Sequence, residues 1–228
     1  LDHALAVFEQ KARAFRHPGF LWTAASARTA MALLEGRFAD AEALAGEALA
    51  LGQRVQTRTP MLNYAQQLFM LRGEQGRLAE VEPLITAGVT ETAVVPAWRV
   101  GLASFCCFVR REAEARREFE ALAADDFAGL PRDSAWLTGM YLLGTVCGWL
   151  HDVRRAEILY ELIRPYAGRV AVGGPLVVFV GVMDACLGLL ARLNEGSTVR
   201  VAREKVDDSI WLPTSIRFAG QGRALLFR

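Results

Sequence analysis

Cys147 and His151 stand four residues apart, a spacing that places a thiol and an imidazole on one helix face, where they could hold a metal ion. No second pair follows at ligand spacing. Cys106, Cys107 and Cys186 lie in apolar stretches, and the chain has no C-x-x-C pair. All four thiols therefore read as small core residues of a protein in a reducing compartment. His3 and His17 have no nearby nucleophile and carboxylate that would make a triad, and His17-Pro18-Gly19 reads as a turn. Asp125-Asp126 are candidate paired carboxylates, but their place at a helix end before Phe127 fits a solvated loop, and Asp207-Asp208 read the same way. Asp184 is isolated in an apolar stretch. A buried carboxylate must be hydrogen-bonded or titrate upward, so Arg192 or a helix terminus is its expected partner. There is no G-x-x-x-x-G-K-[ST] loop and no G-x-S-x-G elbow. Gly173-Gly174 lacks the lysine of a phosphate cradle, and Gly220-Gln221-Gly222 lacks the third glycine of a dinucleotide fingerprint. The sequence predicts no catalytic residue, no metal ion, no cofactor and no enzyme.

Charge gives no broad footprint for a polyanion. The formal net charge is +1. The one basic cluster, Arg110, Arg111, Arg116 and Arg117, is interleaved with Glu112, Glu114, Glu118 and Glu120. That mixture predicts i,i+4 ion pairs on a solvated face rather than a nucleic-acid contact.

The elements that must carry these residues are helices. Pro18, Pro60, Pro96, Pro131 and Pro175 each precede an apolar run, at intervals of 35 to 44 residues. Proline suits the first turn of a helix, where its missing N–H has no partner to lose. Within each interval a second pattern recurs. Gly36, Gly76, Arg110 and His151 stand at a turn; five residues on come Ala41, Val81, Ala115 and Ala156, and four further Ala45, Ile85, Phe119 and Tyr160. The small residues would let paired helices touch, and the larger ones would fill the space beyond. The apolar stripe of Ala156, Leu159, Ile163 and Tyr166 has the spacing of an amphipathic helix. The predicted elements are a helix over 1–15, helix pairs at 20–35/38–54, 60–74/77–88, 97–109/111–124 and 134–150/153–166, and a lone helix over 175–193. Val94-Val95 and 170–172 are placed in connections.

The run 175–191 is apolar but only 17 residues long with Asp184 near its middle, so it is predicted to be a buried helix rather than a membrane span. Its breadth of apolar surface predicts cover from the tail or from a second chain, and so self-association through 175–193. Residues 194–228 lose the helical period. A hairpin is expected there, with Ser215–Phe218 and Arg223–Phe227 flanking the loop at Ala219–Gly222. The domains are therefore a helical-repeat domain over 1–193 and a β-like or poorly ordered tail over 194–228.

The phrases LAADDFAGLPRD and ELIRPYAGR, set among LALGQRVQTRT, QLFMLRGEQGRLAEVEPLI and PAWRVGLASF, resemble the C-terminal tetratricopeptide-like region of large bacterial signalling ATPases. Those proteins join an adenylate or guanylate cyclase domain, or a LuxR-type DNA-binding domain, to an ATPase and then to this helical array. The resemblance covers roughly 1–193. Arg110 departs from it by standing where the third unit would have glycine, and the β-like tail departs from it after Leu193. The resemblance implies an all-α, right-handed array of antiparallel helix pairs in the cytoplasm. It implies a protein-interaction and regulatory scaffold for signal transduction or transcription regulation. Leu1 in place of Met fits a fragment lacking the catalytic domains, and Asp2, His3, Glu9 and Lys11 do not read as a signal peptide. Partners would be a protein, a peptide, or the upstream ATPase domain of the same polypeptide. The alternative is a small-molecule effector sensor with a pocket between inner helices, near Trp98, Trp136 and Asp184. Trp22 shares the early helix position of Trp98 and Trp136; core packing is the first expectation for all three.

Overall fold

The computed structural model describes residues 2–55, 59–91, 96–194, 198–205 and 211–219. Helices dominate them: α1 (Asp2–Phe15), α2 (Pro18–Leu34), α3 (Phe38–Gly52), α4 (Thr59–Glu74), α5 (Glu82–Glu91), α6 (Pro96–Phe108), α7 (Glu112–Leu122), α8 (Trp136–Leu150), α9 (Val153–Ile163) and α10 (Met183–Asn194). Two antiparallel hairpins are added, β1 (Val170–Gly173) with β2 (Val178–Val182), and β3 (Thr198–Lys205) with β4 (Trp211–Ala219).

Successive helices pack as pairs, α2 on α3, α6 on α7 and α8 on α9. Their connections are short because four turns are built alike. Gly36, Gly76, Arg110 and His151 all have positive φ, from 54° to 74°. After each, the next N–H reaches back five residues, as in Arg37 to Ala32 (2.9 Å), Arg77 to Arg72 (2.8 Å), Arg111 to Cys106 (2.8 Å) and Asp152 to Cys147 (3.2 Å). This is the Schellman arrangement, which satisfies the last carbonyls of a helix while reversing the chain. Glycine takes it at little steric cost; Arg110 and His151 hold it against roughly 1–2 kcal/mol of left-handed strain.

The positions five residues beyond these turns are buried, with Ala41, Ala115 and Ala156 at 0% exposure and Val81 at 1%. One core cluster runs from Leu78 to Leu190, with Phe105, Phe119, Met140 and Leu143 fully enclosed. A smaller cluster of Ala32, Ala41 and Leu71 joins α2, α3 and α4. Gly144 and Gly148 of α8 receive α10 closely, for a Cβ at these positions would strike Cys186 Sγ and the Leu189 side chain.

Three sequence expectations are corrected. The helix over 77–88 is split into a 3₁₀ turn, Leu78–Val81, and α5. Pro83 explains this: its ring would clash with the carbonyl of Ala79 in a continuous helix, but it fits the first turn of one beginning at Glu82. The helix over 175–193 does not exist as one element. Residues 178–182, rich in valine, form β2, and the helix begins only at Met183. The run 170–172 is accordingly strand β1, not a connection. In the tail, Thr198–Lys205 pair with Trp211–Ala219, so the expected strand Ser215–Phe218 lies within β4 and Ala219 ends it; residues 220–222 of the expected loop and the other proposed arm, Arg223–Phe227, lie outside the described residues.

Much of the apolar surface expected over 175–193 is covered within the chain. Val177, Val178, Met183, Cys186 and Leu190 are buried, and Leu176 and Val182 are exposed. α10 packs on α8 and α9. No helix among the described residues is long and apolar enough to cross a membrane.

Two substitutions test this construction. His151→Gly should raise stability by about 0.5–1 kcal/mol in urea unfolding, because it removes left-handed strain at an exposed site at some cost in unfolded-chain entropy. Gly76→Ala, where a Cβ meets nothing within 4 Å, should move the midpoint the other way. Ala156→Arg should lower stability by several kcal/mol by overpacking a fully buried helix contact with a charge; an unchanged melting temperature would contradict the packing.

Candidate functional site

α4, α6 and α8 present residues to a common space, and the β1–β2 hairpin borders it. β2 packs on α2, α4 and α8. One buried amide fastens it. Gln67 Nε2 donates to Ser26 O of α2 at 2.9 Å and to Val177 O, next to β2, at 3.0 Å. Both amide hydrogens are thereby used, and Gln67 is 1% exposed. The hairpin turn is tight, with Gly174 and Leu176 at positive φ and Val177 N donating to Gly173 O at 2.8 Å.

Between the hairpin and the helices is a cleft of about 130 Å³. Trp98, Trp136, Phe69 and Leu142 form much of its wall, and Val178 and Val180 close one side. Each indole is held from behind. Trp98 fits against Gly88 of α5, where a Cβ would clash with its ring. Trp136 meets the Tyr166 ring at 5.2 Å, and the Arg132 guanidinium lies 4.6 Å from its centroid. Two polar side chains line the same cleft. Gln66 Oε1 and Thr138 Oγ1 are buried without a hydrogen-bond partner among the described residues. Thr138 sits in the first turn of α8, so the residue four back, Ser134, precedes the helix and offers no helical carbonyl. Thr145, deeper in α8, bonds Tyr141 O at 3.0 Å.

Trp98 and Trp136 are thus brought together. Asp184 is not: it is exposed, lies in the first turn of α10, and its Oδ2 accepts from Gly168 N at 2.9 Å. The expected buried carboxylate is a helix-terminus group, because the apolar run around it is strand before it and helix after it. Gln66, Thr138, Gly101 and Gly139 line the cleft without having been anticipated. The available signal was the presence of amide, hydroxyl and glycine on apolar inner helices.

The other reactive groups singled out in the sequence lie outside the cleft. Cys147 Sγ donates to Asp152 O at 3.2 Å and faces the core, while His151 is exposed in the left-handed turn, so the two do not share a ligand face. Burial pushes the thiols of Cys107, Cys147 and Cys186 up to about 12. Asp125 and Asp126 are exposed in a loop anchored by the buried Phe127 ring, 5.7 Å from Phe119. In the arginine-rich segment Arg116 pairs with Glu112 at 3.0 Å in the expected i,i+4 manner. Arg111 instead crosses to Glu82, and Glu120 to Arg155.

Compared with protein-family models, with curated proteins and with solved structures, the chain finds no match.

Gln67→Leu tests the tie between hairpin and helices. It leaves Val177 O buried without its donor, which should cost about 1–3 kcal/mol. Amide exchange over 170–182 should accelerate more than exchange in α7 or α9; uniform acceleration would contradict a local tie.

Proposed function

We propose that this chain is a binding and regulatory module with no chemistry of its own, and that its site is the cleft between α4, α6, α8 and the β1–β2 hairpin. The observation that carries this reading is that the inner helix face, where an extended peptide would otherwise lie, is occupied by the chain's own hairpin and ends in a walled apolar cleft. Such a site suits a compact effector held between elements that could shift with its presence. Similar turns, small buried residues and pairwise packing support a tetratricopeptide-like, right-handed array of antiparallel helix pairs. The resemblance to bacterial signalling ATPases supports a cytoplasmic scaffold that passes the state of the cleft to an upstream ATPase domain, and so to signalling or transcription.

A second reading, a protein partner, is favoured by one surface. Phe15 and Phe20 are exposed and meet edge to face at 6.2 Å beside His17, at the junction of α1 and α2. A docked domain would cover these rings.

The leading reading is tested with Gly139→Leu, which places a side chain into the cleft where a Cβ meets nothing within 4 Å. In ligand-observed NMR, a chemically diverse fragment library should yield compounds that bind the wild-type chain and not the filled variant. A library in which no compound distinguishes the two proteins would sink the cleft as a site.

A further inference from the structure

Successive helices close the grooves of this stack in threes. α2 packs on both α3 and α4, which also touch each other; α6 packs likewise on α7 and α8, and α8 on α9 and α10. In each case the first helix of a pair fills the groove between its own partner and the helix that follows. α1 and α2 pack on each other in the same way, but among the described residues no helix plays that part for them. The packing of α1 shows the difference. Its residues Leu5, Glu9 and Ala12 repeat the spacing of Ala41, Ala45 and Ala48 in α3. Ala41 is fully enclosed, clustered with Ala32 of α2 and Leu71 of α4. Leu5, at the matching place, is only half-buried.

The surface left open is apolar and aromatic. Ala4, Val7, Lys11 and Ala14 recur at helical spacing on one stripe of α1, and all are exposed. Phe15 follows at 72% exposure, and Phe20 of α2 stands against it at 46%. Exposed apolar surface gathered in this way marks a docking site, and aromatic rings are the usual anchors of one. The charge around it has one sign. Lys11 stands within the stripe and Arg16 directly after Phe15; both are exposed, and neither has an ion-pair partner among the described residues. The acidic residue among the described side chains of α1, Glu9, is buried against Arg28. Elsewhere in the stack the matching cations are answered by a neighbouring helix, as Arg111 is by Glu82 and Arg155 by Glu120.

We propose that the groove between α1 and α2 docks one amphipathic α-helix of a separate partner protein, apolar where it meets Val7, Phe15 and Phe20 and acidic where it meets Lys11 and Arg16. The fold argues for a helix, because a helix fills each of the three comparable grooves. The unanswered cations argue for carboxylates on its flank. Helix-in-groove recognition of this kind reads apolar anchors at i, i+3, i+4 and i+7. This assignment rests on the second reading, that the Phe15–Phe20 surface takes a protein partner, and adds the partner's secondary structure and charge.

The test screens displayed peptides of about 16 residues, roughly four helical turns, against the full chain. Half of the library carries an amphipathic helical pattern with Glu, Gln or Lys beside the apolar stripe, and half is random. Enriched peptides are measured again on Phe15→Ser/Phe20→Ser, which should keep its melting transition because both rings are exposed. Helical peptides with glutamate flanks should enrich, and should lose at least about tenfold in affinity on that variant. Lys11→Glu/Arg16→Glu should turn the preference from glutamate to lysine flanks, which a merely weakened fold would not do. A glutamate preference unchanged by this reversal would overturn the charge assignment. Enrichment of lysine-flanked or random peptides that depend on Phe15 and Phe20 would overturn the acidic helix and leave the surface standing as a partner site. Self-association in sedimentation equilibrium, abolished by Phe15→Ser/Phe20→Ser, would give the groove to a second copy and overturn the separate partner. A library with no peptide sensitive to that variant would remove both the helix and the surface.

Discussion

Close contact between helices at small side chains is the constraint from which the rest of this structure follows. Ala41, Ala115 and Ala156 are fully buried where paired helices meet, and Gly144 and Gly148 let α10 lie against α8. Helices this close leave little length for a connection. The chain reverses in two or three residues only by entering the left-handed region, which it does at Gly36 and Gly76 at little cost and at Arg110 and His151 against steric resistance. The bulk excluded from the seams is accommodated beside them: Phe105, Phe119 and Met140 are entirely enclosed.

Charged side chains bind the succession of pairs together at its surface. Arg72 reaches Glu42, Arg111 reaches Glu82, and Arg155 reaches both Glu120 and Asp152. The exposed Arg111–Glu82 pair is of a kind that contributes little stability individually, whereas the Arg72 and Arg155 side chains are largely buried. The physical effect of the pairs is on register: Arg72–Glu42, Arg111–Glu82 and Arg155–Glu120 each link residues about one helix pair apart, and a helix displaced along its axis would lose its partner. The same Arg111–Glu82 hydrogen bonds hold the Glu82 carboxyl below the usual carboxylate range.

The hairpin β1–β2 gives this stack its site. Without it, α4, α6 and α8 would offer an open face; with it, that face becomes a cleft whose walls come from three helices and a strand. Gln67 couples the hairpin to two helices through a single amide, so a change in the hairpin is felt at Ser26 of α2 as well as at α4. This is the physical basis on which occupancy of the cleft could alter the stack.

The sequence by itself determined the local elements that rest on neighbouring residues. Proline breaks, the apolar stripes and the turn positions Gly36, Gly76, Arg110 and His151 located most of the helices from 2 to 166, the segment split at Pro83 apart, since helix starts and Schellman ends are encoded within a few residues. It also singled out Trp98 and Trp136. It misread 170–182, because an apolar run rich in valine satisfies both a buried helix and a buried strand, and only the pairing of Val170 with Val182 and of Gly173 with Val178 decides between them. Asp184 was misplaced for the same reason, as its position near the middle of a helix became the first turn of one. The cleft was decided by tertiary structure alone. Gln66, Thr138, Gly101 and Gly139 come from three helices separated by tens of residues, and neither an unfilled space nor an unpaired oxygen exists until those helices and the hairpin have been packed together.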